Sequence, residues 1–113
     1  MTAAPLCLLV ACAGTPLPTA ELAVAAAALA HAEAAGSAQA APAQTAQARE
    51  KLRLARVAAA DGDALRAQRL AQQGELDALL AESLTDTAKA RQAVLDTQAA
   101  NAALREEMAR QRP

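Results

Sequence analysis

Three groups of residues in this chain have the types from which chemistry is built. The triplet His31-Ala32-Glu33 sets an imidazole two residues from a carboxylate, the spacing that metal-dependent deamination uses for a ligand and a proton carrier. That chemistry also needs cysteine ligands downstream, and no Cys follows Cys12. On a helix, moreover, residues two apart lie on different faces. His31 is therefore read as a solvated histidine. Asp61-Gly62-Asp63 offers carboxylates to calcium, which takes about six to eight oxygen ligands, but no acidic cluster follows at the required spacing; the triplet reads as a turn and a helix cap. Arg49, Arg53 and Arg56 form a basic face able to meet phosphate. With no aromatic residue for stacking and a net charge of −1, a nucleic-acid partner is not expected. No catalytic set, metal site or cofactor site emerges, and the chain is expected not to be an enzyme.

A different kind of chemistry is suggested by the stretch PLCLLVACAGTPLP, Pro5 to Pro18. Its apolar run, Leu6 to Ala11, is far shorter than the roughly 18–20 residues that span a bilayer. A short apolar run that stops at a small residue is how a secretory signal ends. Leu9-Val10-Ala11-Cys12 resembles the lipobox of bacterial lipoproteins. The resemblance implies cleavage between Ala11 and Cys12, a diacylglyceryl group on the Cys12 sulfur and an acyl chain on its new amino group. Cys7 is preceded by Pro5 and Leu6 and does not fit. Residues 1–11 are thus read as a signal peptide, and because Met1 to Pro5 lack the basic start of such segments, either the true start lies upstream or the signal is a weak one. Residues 12–18 are read as the lipidated Cys and a Pro/Gly tether, and 19–112 as the folded domain. In the lipoprotein class an Asp after the acylated Cys favours the inner membrane. Ala13 stands there instead, so the expected place is the periplasmic face of the outer membrane. Cys7 would leave with the signal and Cys12 would carry lipid, so no disulfide is expected.

The elements that would carry these residues follow from composition. In 113 residues, 54% are hydrophobic and none is aromatic, and most of the apolar content is Ala. A buried Ala removes about one methyl from water, on the order of 0.8 kcal/mol, against about 1.5–3 for Leu or Val. Such a core is thin. Ala is also the strongest helix former, which predicts an all-α fold of long helices packed close together, an antiparallel hairpin or a three-helix bundle. Helices that close enclose no pocket, so no small-molecule substrate is expected.

Punctuation sets the helices. Thr19 is read as an N-cap with Glu21 in the first turn, and Gly36 as the closing residue, giving a first helix over Ala20–Ala35. Gly36 to Pro42 connects, Pro42 suits the first turn of a second helix ending at Ala60, and Asp63 caps a third. The third meets no Pro before Pro113. Gly74 and the stretch Ser83 to Thr87 are its weak points, since Gly and Thr are poor helix formers. If continuous over Ala64–Arg110, its about 47 residues reach about 70 Å, and its last third must project beyond the bundle, fold back, or meet a partner. Ala48, Leu52, Ala55 and Ala59 form a narrow stripe on the second helix; Ala67, Ala71, Gly74, Ala78 and Ala81 form one on the third. Folding about Gly62 brings Leu52 toward Gln72 and Arg49 toward Glu75. Charge agrees: Arg49, Lys51, Arg53 and Arg56 face a stretch with Glu75, Asp77, Glu82 and Asp86.

The span from Ala48 to Glu82, AREKLRLARVAAADGDALRAQRLAQQGELDALLAE, is similar to the core of the alanine-rich bacterial domains of unknown function numbered 4398. The resemblance covers roughly Ala20 to Ala109. Ala64 stands where an aromatic is common and Gly74 at a usual Ala, and both departures predict a looser hairpin. The resemblance implies a periplasmic helical lipoprotein. Two functional classes are carried forward. One is a lipid-tethered structural or protein-interaction module, engaging an envelope protein or itself through the helix after Ser83. The other is a ligand-binding or regulatory module acting on an envelope enzyme. Leu76, Leu79, Leu80, Leu84, Val94, Leu95 and Leu104 favour the first, because they exceed what a short hairpin can cover.

Overall fold

A computed structural model describes Gly14 and residues 16–113, so the segment read as a signal peptide and Cys12 lie outside the described residues. Four helices follow in order: α1 (Thr19–Ala34), the single turn α2 (Ser37–Ala40), α3 (Pro42–Ala60) and α4 (Ala64–Arg110). Among the described residues there is no strand. The second and third predicted helices have the limits read from Pro42, Gly62 and Asp63. The first lies one residue earlier than expected.

The reason lies at its cap. Pro18, not Thr19, occupies the N-cap, and no side chain caps the helix. The Pro18 carbonyl accepts from the Leu22 amide at 3.0 Å, and Pro18 itself is buried. The bundle thus takes in the end of the segment read as tether. At the other end Gly36 adopts a φ of +97°, a left-handed value open to Gly without a Cβ clash. The expected plain connection after it holds a turn of helix, α2. Gly62 at φ +79° turns the chain from α3 into α4, and Asp63 caps α4 by accepting from the Arg66 amide at 3.0 Å.

The direction of each helix can be read from paired side chains. Arg49 of α3 meets Glu33 of α1, and Lys51 of α3 meets Asp77 of α4 across the turn at Gly62, so α3 and α4 run antiparallel. Gln68 of α4 donates to Glu21 of α1 at 3.1 Å, and farther along both helices Glu82 meets His31. α1 and α4 are therefore parallel, with α3 antiparallel to both. The result is an up-down-up bundle of the three long helices, with α4 continuing past its neighbours.

Spacing makes this packing possible. On α4 the buried residues are Ala64, Ala67, Ala71, Gly74, Ala78, Ala81 and Thr85, at alternating steps of three and four. On α3 they are Thr45, Ala48, Leu52, Ala55 and Ala58. Steps of three and four average close to the helical repeat and keep one narrow stripe facing the partner. Among the described residues Leu29 and Leu52 are the only buried leucines, in an apolar core otherwise made of Ala. The expected Ala59 is half-buried and Ala58 takes its place. Here the helix ends, with the Asp63 amide donating back to the Ala58 carbonyl at 2.9 Å, and Ala58, three residues after Ala55, is the residue that stays on the buried side.

Gly74 is likewise not a loose point. A Cβ there would sit 3.4 Å from the Ala48 carbonyl oxygen and 3.5 Å from the Leu52 amide nitrogen, so α3 and α4 approach backbone to backbone at this level. Nor does the helix break over Ser83 to Thr87. The Thr85 hydroxyl donates to the Ala81 carbonyl at 2.7 Å and that of Thr87 to Ser83 at 2.9 Å, which keeps both hydroxyls satisfied without leaving the helix.

Candidate functional site: the projecting face of α4

The candidate chemical residues are not brought together. His31 and Glu33 diverge as helical geometry requires: His31 Nε2 lies 3.0 Å from Glu82 of α4, while Glu33 takes Arg49 of α3. Both serve as struts between helices. His31 remains mostly exposed, with 71% of its side chain open to solvent. Asp63 is occupied as a helix cap, and no group of three or more His, Cys, Asp or Glu among the described residues is placed to hold a metal ion.

The basic face is dispersed in the same way. Arg49 turns to Glu33 of α1 and not to Glu75 as the hairpin alone suggested, because α1 lies in the groove beside α3 and supplies a carboxylate there. Lys51 meets the expected α4 stretch, with Nζ 2.6 Å from Asp77 Oδ2. That contact is a charge pair and not an aligned hydrogen bond, since the same oxygen has no hydrogen-bond donor. Arg53 folds onto Glu50 within its own helix through two hydrogen bonds of 2.9 and 2.7 Å. Those bonds hold the Glu50 carboxyl below its ordinary range and push the guanidinium up. Pairs this exposed fix register and contribute little stability.

Two buried polar residues missed by the sequence reading, Ser37 and Thr45, form one knot. The Thr45 hydroxyl lies 2.9 Å from both Ser37 Oγ and the Ala41 carbonyl. Having one proton, it donates to the carbonyl, which can only accept, and accepts from Ser37. Every side-chain polar atom in this buried knot is then satisfied. The signal for it was the pair Ser37 and Thr45 flanking Pro42, which reads as ordinary loop chemistry until α2 folds over α3.

The face that stands out is elsewhere. From Asp86 to Pro113 every residue is exposed, although α4 runs on unbroken to Arg110. Just over half of the helix, about 37 Å at 1.5 Å per residue, has no neighbour. Val94, Leu95, Leu104 and Met108 project from it, and Leu76, Leu79, Leu80 and Leu84 form an exposed apolar cluster on the outer side of the bundle just before it. A shallow hollow at Thr87, Ala90, Arg91 and Val94 lies on this bare stretch. It is open on a single helix and encloses nothing.

Fold and surface together define an alanine-packed three-helix bundle with a bare helical extension. The chain belongs to the family described as "Domain of unknown function (DUF4398)", whose model matches residues 20–97. The match takes in all three long helices and the first part of the extension. No curated protein matches the chain, and no solved structure does. Among the described residues no helix is long and apolar enough to cross a membrane.

Proposed function

We propose that the chain is a non-enzymatic envelope lipoprotein, in which a small helical bundle, tethered by lipid on Cys12, presents the extension of α4 to a partner helix. The observation that carries the interaction half of this reading is the row of large apolar side chains left exposed on α4. A monomer gains nothing from solvating them, and another helix is the surface that fits their spacing. The anchor half is supported by Leu9-Val10-Ala11-Cys12 and the Pro-containing segment behind it. Each buried acyl CH₂ contributes about 0.8 kcal/mol, one chain binds marginally and two or three hold essentially permanently, so the membrane is chosen at delivery. Ala13 after the acylated Cys points to the periplasmic face of the outer membrane, with the bundle extending toward the cell wall.

Mass spectrometry of natively produced protein tests the anchor: the expected mature chain begins at Cys12 and carries lipid, and Cys12→Ser releases it from membranes. A chain that keeps an unmodified Met1 contradicts the anchor. Fractionation with inner-membrane markers would overturn the placement alone.

A further inference from the structure

The exposed face of α4 has a register of its own. Leu80, Thr87, Val94, Asn101 and Met108 recur every seven residues. Between them, at steps of three and four, stand Leu76, Ser83, Ala90, Thr97 and Leu104. From Leu76 to Met108 this seam holds no charged residue, and every residue on it is exposed. On a helix of 3.6 residues per turn its centre lies about 150° from the stripe buried against α1 and α3, so a second helix can cover it without displacing either. The buried stripe, extended past Thr85, is by contrast interrupted by the charge of Glu106. Past Thr85 the outer seam is thus the longer uncharged face. Its alternation of Leu, Val and Met with Ala, Ser and Thr supplies both knobs and hollows; Ala90 lies in the hollow between Thr87, Arg91 and Val94.

Asn101 is the one amide on the seam, and it falls in the first set of positions, which precede the second set by three residues. In a parallel two-stranded coil a single Asn at such a position meets its own counterpart, bonds to it, and fixes register and strand number at a cost in stability. Two copies out of register, or antiparallel, would set that amide against an apolar neighbour.

Flanking charges make the same choice. The residues preceding the first set of seam positions are Leu79, Asp86, Ala93, Ala100 and Glu107. Those following the second set, from Ser83 onward and continued to Gln111, are Leu84, Arg91, Gln98, Arg105 and Arg112. In a parallel two-stranded coil a residue of the first flank meets the residue five positions farther along on the other chain. For two copies of this chain that gives Leu79 with Leu84 and Asp86 with Arg91 within the helix, and no pair of like charge; Arg112 lies past the helix end at Arg110, and Glu107 is held by Arg110 of its own chain. An antiparallel pair sets the basic flank against itself and the acidic flank against itself. Among the described residues neither Asp86 nor Arg91 has an ion pair within the monomer.

We infer that α4 forms a parallel, in-register coiled coil with a second copy of this chain through the seam from Leu76 to Met108. The inference rests on the interaction half of the proposed function and names its partner. It does not depend on the lipid.

The test uses the full chain with Cys7→Ser and Cys12→Ser, followed by sedimentation equilibrium from micromolar to near-millimolar concentration. A monomer–dimer equilibrium is expected. Val94→Glu places a charge in the seam of both chains and raises the dimer Kd by about 100-fold or more. Arg91→Glu sets two like charges face to face in the dimer and raises it about tenfold, while adding Asp86→Lys restores it to within about threefold. All three positions lie outside the bundle, so circular dichroism of the dilute monomer should be unchanged. Gln111→Cys in the same background should form an interchain disulfide on mild oxidation, because parallel chains bring the two positions side by side and antiparallel chains carry them to opposite ends. A chain monomeric at every concentration overturns the second copy as partner, including the case in which it pairs only with a different protein. A dimer indifferent to Arg91→Glu, or one that never forms the disulfide at position 111, overturns the parallel register. Either failure leaves the result at Cys12 untouched, and an unlipidated Cys12 leaves the coil standing.

Discussion

Two halves of one helix show what alanine does and does not decide. Up to Thr85, α4 buries every third or fourth residue against α1 and α3; beyond it every residue is exposed. Both halves are Ala-rich and both are helical. Helix formation is therefore local, a matter of propensity, whereas burial depends on the length of the neighbours. α1 and α3 have 16 and 19 residues against the 47 of α4, and the bundle ends where they do. In the first half small residues set the distance between backbones. In the second the same residues leave room that a further helix can fill.

That contrast can be pressed hardest by size. Ala71 is wholly buried, and Ala71→Leu, which costs almost nothing in helix propensity, forces α3 and α4 apart. A loss of about 3 kcal/mol is expected in denaturant unfolding, at the upper end for overpacking because an alanine seam has no slack. Ala99→Leu in the bare half should change stability by less than about 0.5 kcal/mol. If the two substitutions cost the same, the halves do not differ as described.

Next in size comes the buried knot at Ser37 and Thr45. Thr45→Val keeps the volume and removes the hydroxyl that joins Ser37 to the Ala41 carbonyl. The Ala41 carbonyl keeps the Thr45 amide at 3.1 Å, but the buried Ser37 hydroxyl loses its partner, which should cost about 1–2 kcal/mol, read as a lower midpoint in chemical unfolding. Smaller still is the cap of α4: Asp63→Ala removes the acceptor for the Arg66 amide and should cost about 1 kcal/mol, with Asp63→Asn recovering most of it.

Gly74→Ala should be mild among the bundle substitutions and of opposite sign. The added methyl would meet backbone atoms of α3 at 3.4–3.5 Å, close to ordinary contact, while the helix gains up to about 1 kcal/mol of propensity. Thermal unfolding should rise slightly. A clear fall would mean that the helices are closer at this level than their backbones indicate.

How much was legible beforehand depended on whether a feature is local. Pro42, Gly62 and Asp63 each constrain their own backbone, and the limits of α3 and α4 followed from them. The stripe from Ala67 to Ala81 was visible because a repeat of three and four survives any choice of partner. Features that need a third helix were not visible. Arg49 could be matched to Glu75 only while α1 was ignored, and choosing Ala58 over Ala59, three or four residues after Ala55, took the packed helix end. Thr19 resembled a cap, but the residue before it, Pro18, is itself buried in the bundle and takes that place. Asp63 is the cap its triplet suggested, whereas the pairing of His31, read as solvated, with Glu82 and of Glu33 with Arg49 required neighbouring helices to be seen. The proposed anchor at Cys12 rests on the residues around it alone, outside the described part of the chain.

The most direct measurement is native hydrogen exchange of the chain at two concentrations, below and above dimer formation. In dilute protein Leu52 to Ala59 and Ala67 to Ala81 should exchange slowly and Ala88 to Arg110 fast, because a lone helix opens locally without disturbing the bundle. On concentration the extension should slow and the bundle should not change. Equal protection along the whole of α4 in dilute protein, or an extension indifferent to concentration, would contradict the division between a self-sufficient bundle and a helix that waits for a second copy.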